Sequence, residues 1–134
     1  EQMGTPSEIY LSPTSSFVAR FVGSMNELHG TVASDGALTL DAGAGSLSGR
    51  QFGAAGTKVT LLVRPDDVVV CTADEAGSLR GTVSMVLFGG STTVVRVALA
   101  NGDLVGALVM SRDLKVHTGD AVGLRIDTTR AVIG

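Results

Sequence analysis

Ser111, Asp113 and His117 are the residue types of an acyl-transfer triad: a nucleophile, a base and a carboxylate to orient it. Their spacing argues against that chemistry. All three fall in one short loop-like segment, whereas hydrolases draw such groups from separate elements that converge on a substrate. His29, Cys71 and His117 are the other conventional metal-binding or nucleophilic types. The two histidines lie in opposite halves of the chain, and zinc wants three or four ligands at tight spacings. Surface or strand-end histidines are the simpler reading. Cys71 follows Val68-Val69-Val70 and reads as a small core residue. It is the only cysteine, so no internal disulfide forms, which fits a reducing compartment.

Phosphate chemistry fares no better. No G-x-x-x-x-G-K-[ST] loop occurs. The richest glycine stretch, Gly43 to Gly56, has no lysine and precedes a strand rather than a helix. Its Gly/Ala/Ser composition reads as a flexible loop. The acidic strand end that holds Mg²⁺ in an ATPase is missing as well. No catalytic residue, bound cofactor or metal is therefore expected in this chain. The net charge of −3 leaves little counterion release to drive association with DNA or RNA. Arg50, Lys58, Arg64 and Arg80 are scattered, with few aromatics beside them for base stacking.

The polar groups that stay interesting are few. Ser91, Thr92, Ser111 and Arg112 offer hydroxyls and a guanidinium to a small oxyanion. Arg64 and Asp66 flank Pro65, which fixes their separation and makes a buried or interfacial pair the alternative to a solvated turn. Asp66-Asp67 and Asp74-Glu75 otherwise read as solvated turn residues.

The elements that must position these groups are mostly strands. The 134 residues fit one domain, and 44 % are hydrophobic, enough for a real core. The first two dozen residues read as one or two short helices. Thr5-Pro6-Ser7-Glu8 has the form of a capping box with proline at the first helical position, leading into Ile9-Tyr10-Leu11. Ser12-Pro13 repeats the signal, and Phe17, Val18, Phe21 and Val22 form an apolar stripe ending at Gly23. Part of that stripe, Phe17 and Phe21 above all, is expected at an interface.

Beyond Gly23 the period becomes two. A hairpin is expected around Ser34-Asp35-Gly36, then strands at Lys58–Val63, Val68–Thr72, Leu79–Phe88, Thr92–Ala100, Asp103–Met110, Ala121–Ile126 and Ala131–Ile133, with a short extension at Leu114–Val116. Asn101-Gly102 is the clearest turn. Roughly eight or nine short strands at near-regular spacing predict a mainly β domain, a barrel or a sandwich, with an antiparallel β-barrel favoured because closure removes exposed edges. The chain begins at Glu1, which fits a segment cut from a longer polypeptide and a processed terminus equally well. The longest apolar runs are too short to span a bilayer as a helix.

The opening phrase Gln2-Met3-Gly4-Thr5-Pro6-Ser7-Glu8-Ile9-Tyr10, then Pro13, then Phe17-Val18-Ala19-Arg20-Phe21-Val22-Gly23, resembles the end of the nucleotide-binding domain of ABC import ATPases. Asn26 fits the asparagine that often follows in that family. Val63-Arg64-Pro65-Asp66, Gly81-Thr82-Val83, Phe88-Gly89, Val97-Ala98-Leu99, Gly102 and Gly119-Asp120-Ala121-Val122 resemble the TOBE domain that comes next in the same subunits, with Asp66 where the family phrase has Glu. The resemblance implies a helical tail of the ATPase domain over residues 1–23 and an OB-like TOBE domain over 24–134.

It also implies a non-catalytic accessory and regulatory role in an importer of polyamines, ferric iron, sugars or oxyanions. The expected partners are its own ATPase domain, a second copy of the subunit, and membrane permease subunits, at the cytoplasmic face of the membrane. ATP and Mg²⁺ would belong to the ATPase domain of the parent. Interface candidates are then Phe17, Phe21, Asn26, Arg64 and Asp66. The other class of function is a small-ligand module binding oxyanions through Ser91, Thr92, Ser111 and Arg112.

Overall fold

The computed structural model describes residues 8–10 and 25–134. Eleven strands form two sheets. They are β1 (Glu8–Tyr10), β2 (Asn26–Val32), β3 (Leu38–Leu40), β4 (Ser46–Leu47), β5 (Lys58–Val63), β6 (Val68–Thr72), β7 (Leu79–Gly89), β8 (Thr92–Leu99), β9 (Leu104–Met110), β10 (Ala121–Ile126) and β11 (Val132–Ile133). The larger sheet runs β6-β10-β7-β8-β9, with β1 beside β7; the smaller runs β11-β5-β2-β3-β4. All described pairings are antiparallel except β1 with β7. The mainly β, OB-like class expected from the sequence is what forms.

The alternation of side chains makes the core. β5 reads exposed, buried, half-buried, buried, half-buried, buried, and β2 alternates in the same way. Their inward Leu28, Val32, Leu61 and Val63 meet Val83, Val95, Val97, Val105 and Leu124 of the larger sheet in one cluster. Each such fully buried aliphatic side chain is worth roughly 1.5–3 kcal/mol relative to exposure. The β8–β9 hairpin turns at Asn101-Gly102, where Gly102 has φ 90°, a conformation that L side chains rarely adopt. Asn101 Oδ1 accepts from the Asp103 N–H at 2.9 Å and fixes that turn. Strand β7 carries a register shift between Val83 and Met85. Its first half pairs with β10 and its second half with β1.

Four expectations need correction. The strands do not close into one barrel. β6 and β9 come alongside one another but share no hydrogen-bonded ladder, so the larger sheet keeps both as edges. Glu8–Tyr10 is a strand, not a helical turn; it takes the edge of β7 where β10 has left it. The rest of the expected helical segment, with Phe17 and Phe21, lies outside the described residues. The glycine-rich stretch is packed rather than loose, because Ala44, Leu47 and Phe52 are buried in the core. Leu114–Val116 is not a strand; Leu114 and Val116 pack against the core from the connection between β9 and β10.

Candidate functional site

Polar side chains join the two sheets, Asn26 and Arg50 foremost, with Asn101 Nδ2 donating to the Asp41 carbonyl at 2.9 Å as well. Asn26, at the start of β2, is 9 % exposed. Its Nδ2 donates to the Gly106 carbonyl at 2.9 Å, and its Oδ1 accepts from the Gly106 N–H at 2.9 Å. A side-chain amide has the donor–acceptor pattern of a peptide group, so Asn26 pairs with the edge strand β9 as a neighbouring strand would. Its amide is thus used inside the domain.

Arg50 makes the second joint. Its Nη1 donates to the carbonyls of Thr128 at 3.1 Å and Ala131 at 2.6 Å, while Thr128 Oγ1 donates to the Ser48 carbonyl at 2.7 Å. These bonds hold the short 3₁₀ turn Thr128–Arg130 between β10 and β11. The same guanidinium lies 5.8 Å from the Phe52 ring centroid. Arg50 is legible only as one of several scattered cations, and its partners are about 80 residues away, which no local pattern reports.

The oxyanion candidates come together at one end of the larger sheet. Ser91 precedes β8, Thr92 opens it, and Ser111 and Arg112 lie in the 3₁₀ turn after β9. The Ser111 N–H donates to the Ser91 carbonyl at 2.8 Å. Ser111 Oγ lies 2.7 Å from Oγ1 of the fully buried Thr93. Arg112 and Ser91 are exposed beside them. Asp113 and His117 do not complete a triad with Ser111. The His117 N–H donates instead to Asp120 Oδ2 at 2.8 Å.

Arg64 Nε and Asp66 Oδ1 are 3.2 Å apart and both exposed, a surface pair across Pro65. The neighbouring Asp67 behaves differently. It is 8 % exposed and lies 3.4 Å from Arg130 Nε, and its Oδ2 is buried with no hydrogen-bond partner. Asp67 is therefore no solvated turn residue. His29 sits on β2, with Nδ1 3.2 Å from Thr60 Oγ1. Among the described residues no group of three or more His, Cys, Asp or Glu side chains is placed to hold a metal.

A cavity of about 710 Å³ opens where β6 and β9 fail to pair. Val68, Val70, Leu108, Leu114, Val116 and Val122 line it, with Asp66, Asp113, Lys115 and Asp120 among its polar groups. Cys71 is half-buried on an edge strand rather than deep in the core, its side chain beside Ser78, Glu75 and Arg125 on the face of β6 opposite Val68 and Val70. Burial, and next the charge of Glu75, push its thiol above the ordinary cysteine range. No helix among the described residues is long and apolar enough to cross a membrane.

Comparison with known proteins agrees with this architecture. The TOBE domain family matches residues 61–133. The chain is 33 % identical over 131 residues to the sn-glycerol-3-phosphate import ATP-binding protein UgpC 1 of Rhizobium johnstonii, covering 95 % of this chain and 35 % of that protein. It is 36 % identical over 110 residues to the spermidine/putrescine import ATP-binding protein PotA 1 of Pseudomonas aeruginosa, covering 78 % of this chain and 30 % of that protein. The chain thus spans about a third of the length of these relatives. In fold it is similar to the cytoplasmic molybdate-binding protein ModG, with a TM-score of 0.71 at 22 % identity over 84 % of this chain and 97 % of that one. The chain belongs to the TOBE-domain family and matches the C-terminal regions of ABC importer ATP-binding subunits.

Proposed function

We propose that the chain is the non-catalytic accessory and regulatory domain of an ABC import ATPase subunit. The observation that carries this reading is the TOBE match over 61–133, set beside relatives named as import ATP-binding proteins. The sequence adds that no phosphate loop is present to bind nucleotide. Regulation and contact are then its work, with its own ATPase domain, a second copy of the subunit and membrane permease subunits as partners. Its place is the cytoplasmic face of the membrane, reached through those partners, and ATP and Mg²⁺ belong to the ATPase domain of the parent. The test is a parent subunit lacking 24–134. It should still bind and hydrolyse ATP, but lose subunit association in sedimentation or lose regulation of its hydrolysis rate. A truncated subunit with unaltered association and regulation would overturn the reading.

A second reading is a small-oxyanion module. One observation favours it: Ser91, Thr92, Ser111 and Arg112, far apart in sequence, meet at one end of the larger sheet. A guanidinium beside clustered hydroxyls suits a tetrahedral anion. Calorimetry with molybdate, sulfate and phosphate tests it. Binding that is lost in Arg112→Ala supports the module; no heat with any of the three removes it.

A further inference from the structure

The geometry points to a second binding site, in the cavity between β6 and β9, for a small amphiphile with an apolar body and one cationic head. Its volume of about 710 Å³ falls within the range of small-molecule sites. The walls are apolar, and Val68 and Val122 at 2 % and 3 % exposure form a dry floor. The cavity persists because its two walls are edge strands without a shared ladder, roofed by the connection that carries Leu114 and Val116. Apolar surface continues outward through Val69 and Met110, 48 % and 43 % exposed.

The polar lining selects the head group. Three carboxylates, Asp66, Asp113 and Asp120, stand against one ammonium, Lys115. Asp66 already faces Arg64, and Asp120 already accepts from the His117 N–H. Asp113 has no ion pair or side-chain hydrogen bond among the described residues, which leaves it free to take a cation. An alkyl chain buried against Val70 and Val116 with its cationic end at Asp113 satisfies both parts of the cavity.

The intact chain would be titrated with decyltrimethylammonium, decanoate and decanol below their aggregation concentrations, and the heat of binding followed by calorimetry. Decyltrimethylammonium should bind most tightly; decanoate should bind most weakly. Asp113→Asn should weaken the cation by about threefold and leave decanol unchanged, as fits one solvent-exposed charge pair. Val70→Trp should fill the cavity and weaken all three probes; Val116→Trp serves the same purpose if that variant does not fold. Equal or tighter binding of decanoate would overturn the cationic assignment. No binding heat with any of the three probes, or binding that is lost as protein concentration rises, would overturn the site. The second of these outcomes would mean that another copy of the chain covers this face.

Discussion

The two places where edge strands meet are finished in opposite ways. At Gly106 the edge of β9 is met by the Asn26 amide, with both peptide groups paired at 2.9 Å. A few residues further along the same strand, Leu108 and Met110 face β6 across an apolar gap with no ladder. The joint is polar, buried and satisfied, whereas the seam is apolar and open. Stability should therefore concentrate at the first and ligand access at the second. A buried backbone group left without a partner costs more than a half-exposed valine contributes.

Replacing Asn26 should separate the two regions most clearly. Asn26→Ala strips the Gly106 N–H and carbonyl of their partners together and should lower stability by about 2–4 kcal/mol in urea unfolding. Arg50→Ala should cost about 1–2 kcal/mol, since it removes charged-donor bonds to two carbonyls in a partly buried place. At the seam, Val70→Ser should cost under about 1 kcal/mol, because the side chain is only half-buried on an edge. If Val70→Ser proved as damaging as Asn26→Ala, the contrast between joint and seam would be lost.

A pH titration sharpens the same picture at smaller scale. The Thr129 hydroxyl, and with it the Thr129 N–H, donate to Asp127 Oδ1 at 2.6 and 3.1 Å and hold that carboxyl below its ordinary range. A depressed folded-state value gives stabilisation that is present above the unfolded carboxylate pKa and lost as pH falls through the folded one. The dependence of stability on pH in the acid range should therefore be shallower in Asp127→Asn than in the natural chain. An identical pH profile in the two would contradict that assignment.

Much of the larger sheet was legible because its turns are written locally. Asn101-Gly102 and Gly89-Gly90 mark hairpins, and Val68–Thr72 and Ala121–Ile126 form with the boundaries that alternation predicts. The misreadings share one cause. Thr5-Pro6-Ser7-Glu8 is a local helix signal, yet Glu8–Tyr10 pairs with a strand almost 80 residues away. Gly43 to Gly56 has the composition of a linker, yet Leu47 and Phe52 anchor it in the core.

The site was legible by residue type more than by partner. Asn26 stood out through family resemblance, but its bond to Gly106 spans 80 positions. Ser91 and Ser111 are candidates by residue type alone, and only the β8–β9 hairpin makes them neighbours. Arg50 and Asp67 carried no signal, because a lone charge in a turn looks the same whether buried or solvated.

The central claim, that this domain serves an ATPase without handling nucleotide itself, is tested most directly by calorimetric titration of the chain with Mg-ATP. The account predicts no binding heat at concentrations where an ATP-binding domain would saturate, since no phosphate loop is present. Saturable binding with a Kd in the micromolar range, about 8 kcal/mol of affinity, would contradict it.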